Sequence, residues 1–143
     1  MNNNARILGF DFGSKRIGIA TGNTITKTSH PLVTVVARGS KPDWREIEKI
    51  IYEWKPHLLV VGLPISMDGK ETEISRRARR FGASLSERVK LDVIYVDERL
   101  TSTEADRIIK NMTPDRKKIS KKHISMRDNL AAQLILETYF GDN

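Results

Sequence analysis

Two short, almost continuous apolar runs constrain the fold of this chain most strongly. Residues 58–62 (LLVVG) and 93–96 (VIYV) lack the strict alternation of a half-exposed strand. Such runs are typical of strands that are covered on both faces of a sheet. Stretches with helical periodicity lie between and beside them, so the pattern predicts a sheet with helices packed on both sides.

The N-terminal third of the chain has the pattern of a small antiparallel sheet. Short apolar runs cover residues 7–12, 16–21 and 31–37. Their close spacing, with GSK at 13–15 and GN at 22–23 between them, is typical of strands joined by tight turns. We therefore predict a three-stranded antiparallel meander before the two buried strands.

Four later stretches have the apolar spacing of amphipathic helices. They cover residues 44–54, 74–85, 101–112 and about 127–139. Asp43 and Glu46 predict a capping box at the start of the first of these helices, and Pro56 predicts its end. The order of elements is then three strands, helix, strand, helix, strand and two helices, which indicates an α/β fold with a mixed sheet.

A basic segment precedes the last helix. Residues 113–125 open on Thr113 and Pro114 and predict a mobile loop rich in lysine. In the helix that follows, we expect Leu130, Leu134 and Ile135 to be buried.

Length and composition bound the class of protein. The chain has 143 residues, which suits a single domain over 1–143, and it has no cysteine, which excludes disulfides and thiolate metal sites. No signal-peptide pattern opens the chain, and no segment approaches the roughly 20 apolar residues that span a bilayer. We expect a soluble, cytoplasmic protein without a membrane partner.

The charge of the chain favours polyanionic partners. The formal net charge is +7, from 25 basic and 18 acidic residues. Six basic residues and one acid lie between positions 76 and 90, and seven basic residues and one acid lie between 107 and 122. Such an excess is typical of proteins that bind nucleic acid.

Three carboxylates stand at positions that suggest a site, and each also has an ordinary explanation. Asp11 ends the first strand, where it could also form a turn before Gly13. Glu98 follows the strand 93–96, where it could pair with Arg99. Asp128 lies in the first turn of the predicted last helix, where a carboxylate also caps the helix.

Strand alternation limits which acids can meet. Successive side chains point to opposite faces of a sheet, so Asp97 and Glu98 cannot both face Asp11. The residues alone leave open which of the two does so. Carboxylates that converge from neighbouring strands and a helix can bind Mg²⁺ or Mn²⁺, and two such ions support phosphodiester cleavage. The three histidines offer no zinc spacing.

Four segments together resemble one family. They are FDFGSKRIGIA at 10–20, VVGLPISMDG at 60–69, VDERLTSTEA at 96–105 and DNLAAQLILETYF at 128–140. In this order and spacing they are similar to the YqgF family, whose members are described as pre-16S rRNA nucleases and as Holliday-junction-resolvase-like proteins.

The resemblance implies a ribonuclease H-like fold with a five-stranded mixed sheet in the order 32145. Three N-terminal strands would be antiparallel, two further strands parallel, and helices would cover both faces. It also implies that the catalytic, metal-binding acids are Asp11, Glu98 and Asp128. The implied activity is metal-dependent hydrolysis of phosphodiester bonds, as an endonuclease that processes the 5′ end of pre-16S rRNA in ribosome biogenesis.

Basic residues around these acids are candidates for binding the nucleic acid. Lys15 and Arg16 follow the first strand, and Arg99 would either clamp a phosphate or orient Glu98. The second helix and the basic loop add a further set of candidates, namely Arg76, Arg77, Arg80, Lys117, Lys118 and Lys121.

Several functions remain open at this point. The substrate would be structured RNA or branched DNA, and a Holliday-junction-resolving endonuclease would act as a homodimer, whereas the RNA nuclease could be a monomer. A non-catalytic nucleic-acid-binding module is a third hypothesis and would tolerate Asp11→Asn. A sugar-kinase-like or actin-like ATPase is the least favoured, because such proteins need two domains of this kind.

Overall fold

The computed structural model describes residues 5–39, 41–66, 68–98 and 121–142, with the side chains of residues 129–141 in the last helix. The strands are β1 Arg6–Phe12, β2 Arg16–Asn23, β3 Thr28–Val36, β4 Leu58–Leu63 and β5 Asp92–Asp97. The helices are α1 Trp44–Trp54, α2 Glu73–Val89 and α3 Lys121–Asp142. The helix predicted at 101–112 lies outside the described residues.

All five strands form one mixed sheet in the order β3-β2-β1-β4-β5. Strands β1, β2 and β3 pair antiparallel, whereas β4 pairs parallel with β1 on one side and with β5 on the other. The predicted order 32145 and the division into antiparallel and parallel strands are therefore confirmed. The turn after β2 lies at residues 24–27 and not at 22–23, because Gly22 and Asn23 still pair with β3.

Helix α1 begins and ends where predicted, and its start shows one half of the predicted capping box. The Asp43 carboxylate accepts a hydrogen bond from the backbone N–H of Glu46, and this bond lowers the pKa of Asp43. The helix ends at Lys55, which adopts a left-handed conformation with φ of 49° just before Pro56. Helix α2 begins with a reciprocal capping box between Thr72 and Ser75.

Two apolar clusters lie on opposite faces of the sheet. On one face, Leu8 and Phe10 of β1 pack with residues of α1 and α2. On the other face, Ile7 of β1, Val60 of β4 and Val96 of β5 pack with α3. Helices therefore cover both faces, as predicted, and alternate residues of each central strand serve different clusters.

The last helix is longer than predicted. It begins at Lys121, so the loop predicted over 113–125 is wrong for residues 121–125. No proline or glycine interrupts positions 121–140, and lysine and isoleucine are compatible with a helix, so nothing stops it from starting early. Residues 113–120 of the predicted loop lie outside the described residues.

The buried face of α3 also differs in part from the prediction. Ile135 is buried as predicted, but its buried neighbours are Ala131, Ala132 and Leu136, whereas Leu130 and Leu134 are half-buried. The small alanines let the helix approach β1 closely. Within the described part of the chain, no helix is both long and apolar enough to cross a membrane.

Candidate active site

The parallel strands bring two acids to one edge of the sheet. Asp11 is the penultimate residue of β1, and Glu98 directly follows β5. Strand β4 lies between them, and the Glu98 backbone N–H donates to the Leu63 carbonyl of β4 at 3.0 Å. The carboxyl ends of β1, β4 and β5 therefore form the edge at which the candidate site lies.

Alternation along β5 decides which acid of the Asp97–Glu98 pair faces Asp11. Val96 packs in the cluster beneath α3, whereas Tyr95 packs in the cluster beneath α1 and α2. Glu98 therefore continues the α3 face and is buried, and Asp97 is exposed. The prediction that the two acids point apart is confirmed, and Glu98 is the one that interacts with Asp11.

Because residue 62 is a glycine, the Glu98 side chain can extend across β4. A Cβ atom placed on Gly62 would lie 2.8 Å from Oε2 of Glu98 and 2.4 Å from Cδ1 of Ile135. Real Cβ atoms do not approach neighbours this closely. Gly62 thus forms the floor over which the Glu98 carboxylate extends toward Asp11.

The Glu98 carboxyl is in an environment that disfavours its charge. It is 6% exposed, and its Oε2 atom is buried without a hydrogen-bond partner among the residues that the structure describes. Burial, together with the charge of Asp11 and a hydrogen bond shared with it, raises the pKa of Glu98 to about 10. A buried carboxylate oxygen with no donor costs free energy unless a cation binds it.

These residues fit a hard divalent cation. Two carboxyl groups supply only oxygen ligands, and one of these oxygens has no hydrogen-bond partner in the described part of the chain. Mg²⁺ and Mn²⁺ prefer such ligands, which also remove the repulsion between adjacent carboxylates. Among the side chains that the structure describes, no group of three acids or histidines converges, so a third ligand has to come from elsewhere.

Asp128 lies deeper in α3 than the sequence analysis predicted. It is the eighth residue of the helix, in the third turn, and not in the first turn as predicted. The helix-cap interpretation of Asp128 is therefore wrong, because the dipole of a helix acts within its first turn. Its side chain lies outside the described residues.

The direction of α3 still locates the 128 position. Phe140 lies against Gly22, near the amino end of β1, and Ala132 lies against Gly9 in the middle of that strand. One helical turn further toward the N-terminus, the backbone at position 128 lies toward the end of the sheet that carries Asp11.

The turn between β1 and β2 places basic residues beside the site. Lys15 is exposed in this turn, and Arg16 begins β2 and is half-buried. A Cβ atom on Gly13 would lie 2.7 Å from the Arg16 carbonyl oxygen, so Gly13 is required by the turn itself.

The arginines of α2 lie at the same edge but on the opposite face of the sheet. Arg76 and Arg80 are exposed, and the Arg77 guanidinium lies over the Phe12 ring at 5.8 Å from its centroid. The sequence did not indicate this ring contact, because residues 12 and 77 meet only through the packing of α2 on β1. Of the other predicted basic residues, Arg99, Lys117 and Lys118 lie outside the described residues, as does the side chain of Lys121.

Comparisons with known proteins give the chain its family. A family model described as RuvX, Holliday junction resolvase, matches residues 5–142. A Haemophilus ducreyi protein named "Putative pre-16S rRNA nuclease" is 47% identical over 137 residues, which cover 96% of this chain and 96% of the relative. A Shewanella denitrificans protein of the same name is 42% identical over 140 residues, covering 98% of this chain and 96% of the relative.

A solved structure has the same fold at low sequence identity. The fowlpox virus resolvase in complex with its substrate Holliday junction DNA aligns with a TM-score of 0.57 and 15% identity, over 96% of this chain and 97% of that chain. The likeness confirms the predicted ribonuclease H-like architecture. With a family model matching almost the whole chain and relatives above 40% identity, the resemblance to the YqgF family is confirmed: the chain belongs to the RuvX Holliday junction resolvase family.

Proposed function

We propose that this chain is a metal-dependent endonuclease that processes the 5′ end of pre-16S rRNA, with residues 1–143 forming one nuclease domain. The observation that carries the proposal is the interaction of Asp11 with Glu98, which lies over Gly62, and the buried Glu98 oxygen without a hydrogen-bond partner among the described residues. The names of the relatives support the substrate.

Asp11 and Glu98 would hold Mg²⁺ or Mn²⁺ through their carboxylate oxygens, and Asp128 would supply the third carboxylate from α3. When bound, such a cation provides an activated water and neutralises the charge that develops on the leaving oxygen of a phosphodiester. The carboxylates have to lose their protons before they bind a cation, which Glu98 resists because it is buried beside Asp11. Ile135, which contacts Gly62 from α3, keeps the inner wall of the site apolar.

The exposed cations beside the site would bind the substrate backbone. Lys15 in the β1–β2 turn is nearest in sequence to Asp11, and Arg16 follows it at the start of β2. Arg99 adjoins Glu98 in the chain and would bind a phosphate or orient that carboxylate. The remaining proposed contacts are Arg76, Arg77, Arg80, Lys117, Lys118 and Lys121.

Branched DNA is the second candidate substrate. The family description names a Holliday junction resolvase, and a solved structure with the same fold contains junction DNA. A chain acting on a junction would form a homodimer, whereas processing of an RNA end is compatible with a monomer.

One experiment tests the activity and separates the substrates. Cleavage of pre-16S rRNA and of a four-way DNA junction is compared for the wild type, Asp11→Asn and Asp97→Asn, with Mg²⁺ or Mn²⁺ and with a chelator. Asp97→Asn is the matched control, because it removes a neighbouring exposed acid that faces away from Asp11. We expect metal-dependent cleavage of the RNA by the wild type and by Asp97→Asn, and none by Asp11→Asn.

The other outcomes are equally informative. If the wild type cleaves the four-way DNA junction but not the RNA, the protein is a junction resolvase. Equal cleavage by the wild type and Asp11→Asn would exclude the carboxylate site as the catalytic centre. Binding of either nucleic acid without any cleavage would favour a non-catalytic module.

A further inference from the structure

The five arginines of α2 fall into two groups that differ in how their charge is compensated. The Arg79 guanidinium pairs with Glu71, and Arg88 pairs with Glu48 at 3.3 Å. No carboxylate whose position is described lies within ion-pair distance of the other three, which are Arg76, Arg77 and Arg80. Within the described part of the chain, no carboxylate therefore neutralises the charge of this second group.

One member of the uncompensated group is held in place before any anion binds. The half-buried Arg77 guanidinium lies 5.8 Å from the centroid of the Phe12 ring. Phe12 is itself fixed, because its ring packs against Phe81 with centroids 5.2 Å apart. A guanidinium over an aromatic face loses little further freedom when it binds a phosphate.

The uncompensated group lies at the edge of the sheet that carries the acids. Helix α2 begins next to the end of β4, where the Thr72 hydroxyl donates to the Pro64 carbonyl at 3.0 Å. Arg76, Arg77 and Arg80 occupy the first two turns from this point. Phe12, whose ring lies under the Arg77 guanidinium, directly follows Asp11 in β1. The Phe12 and Asp11 side chains therefore lie next to each other along the strand but on opposite faces of the sheet.

Lys15 lies at the sheet edge between the face that carries the acids and the face covered by α2. It is exposed in the turn that joins β1 to β2, just beyond Asp11 and Phe12. A basic path thus runs from the carboxylate site, past Lys15 at the edge of the sheet, to the outer surface of α2. Glu73, in the first turn of α2, is exposed and, like these arginines, has no ion-pair partner among the described side chains.

We propose that the surface formed by Arg76, Arg77 and Arg80 binds the phosphate backbone of a second segment of the substrate. The segment at Asp11 and Glu98 would be cleaved, and a flanking segment would pass round the sheet edge at Lys15 and rest on α2. The partner is a polyanion with regularly spaced phosphates, because three cations that have no carboxylate partner among the described side chains lie at one edge of the sheet and on one helix. This inference rests on the proposed nuclease function, because that function makes the chain at Asp11 a nucleic acid.

The surface predicts a dependence on the length of the substrate. A short single-stranded RNA that covers the carboxylate site alone should bind without α2. The same strand extended on both sides by hairpin duplexes should bind more tightly, with contacts to Arg76, Arg77 and Arg80.

The test measures binding of these two fluorescently labelled RNAs by anisotropy in the presence of a chelator, over a range of salt concentrations. The full-length wild type is compared with Arg76→Gln/Arg80→Gln and with Arg79→Gln/Arg88→Gln. Both variants lose two positive charges from the same helix, but the second loses only arginines that are already paired. Thermal denaturation checks that both variants are folded at the assay temperature.

For the extended RNA, we expect Arg76→Gln/Arg80→Gln to bind about ten-fold more weakly or worse, as loss of two phosphate contacts predicts. The slope of log affinity against log salt should fall by roughly 1.4–1.8 for those two contacts. Addition of Arg77→Gln should lower both the affinity for the extended RNA and the salt slope further. The control variant should keep the wild-type slope, and the short RNA should bind all proteins alike.

Two results would overturn the inference: equal effects of the two double variants, or equal wild-type affinity for the short and the extended RNA. Neither depends on cleavage, because the chelator prevents it. A failure of the α2 surface is thus distinguishable from a failure of the nuclease assignment, which the Asp11→Asn comparison tests separately.

Discussion

Glu98 lies over Gly62, with its Oε2 atom 2.8 Å from the point where a Cβ of residue 62 would stand. The carboxylate can extend from the end of β5 toward Asp11 because the strand between them presents no side chain there. The position of an acidic group thus depends on a residue that has no functional group of its own. This relationship makes Gly62 a positioning residue for the proposed metal site.

Gly62→Ala is expected to weaken cation binding while the chain still folds. The atoms that a new Cβ would meet are the ends of the flexible Glu98 and Ile135 side chains, so these can move aside. A displaced Glu98 should lower the affinity for Mn²⁺ by about ten-fold or more, the range found when the support of a ligand is lost. Isothermal titration calorimetry with Mn²⁺ measures this change.

The control for Gly62→Ala is the same substitution in a Glu98→Ala background. If Gly62 acts through Glu98, the second substitution should have little further effect on Mn²⁺ affinity. An equal loss in both backgrounds would mean that Gly62 supports the site by another route.

Glu98→Gln is expected to stabilise the metal-free protein while it abolishes cleavage. The pKa of Glu98 is raised to about 10 in the folded chain, from an ordinary value of 4.5. The neutral carboxyl therefore stabilises the fold fully below pH 4.5, and this contribution is lost as the pH rises toward 10. A neutral amide escapes the loss, so the variant should be more stable by roughly 1–3 kcal/mol at neutral pH.

Urea denaturation in chelator, repeated across the pH range, measures this difference. The gain in free energy of unfolding should widen with pH by up to roughly 1 kcal/mol per pH unit. Parallel stability curves for the wild type and Glu98→Gln would show that Glu98 titrates normally in the fold.

Asp128→Asn is expected to reduce metal-dependent cleavage without loss of thermal stability. The residue lies in the third turn of α3, where a carboxylate does not cap the helix. As a ligand, it should account for more than the roughly 100-fold that the loss of an outer-shell partner can cost. A lowered melting temperature with nearly normal cleavage per folded molecule would instead assign Asp128 a structural role.

Gly9→Ala is expected to destabilise the fold by pushing α3 away from β1. A Cβ on Gly9 would lie 2.6 Å from Cγ of Leu136 and 3.1 Å from the Ala132 carbonyl oxygen, and the second of these is backbone that cannot rotate away. Overpacking of this kind costs about 1–3 kcal/mol. Thermal denaturation measures the change, with Gly141→Ala as the control, because a Cβ there meets no atom within 4 Å.

The strands and the start of the first helix were predictable because the relevant signals are local. The continuous apolar run of β4, the alternation that separates Asp97 from Glu98 and the cap at Asp43 each depend on a few neighbouring residues. The family resemblance then supplied the order of the strands. The residues alone placed Asp11 near either Asp97 or Glu98, because strand alternation lets only one of that pair face Asp11, and the family resemblance selected Glu98.

The features that sequence reasoning missed depend on contacts between distant parts of the chain. The start of α3 at Lys121 follows Ser120, a residue type that favours helix N-caps, but the apolar periodicity begins later and placed the start about six residues too late. Arg88 and Glu48 are forty positions apart, and only the packed fold shows that this arginine is paired, whereas Arg76 and Arg80 have no carboxylate partner among the described residues. The contact between the Arg77 guanidinium and the Phe12 ring is likewise visible only in the packed fold.

The adjacency of Asp11 and Phe12 on β1 has a consequence for how the chain can change in length. A strand repeats every two residues, so one inserted or deleted residue before Asp11 would exchange the faces of the two side chains. The acid would then enter the apolar layer under α2, and the ring would occupy the place of a ligand. Natural variation in length should therefore avoid β1 and gather in the exposed turn at residues 24–27, at the far end of the sheet.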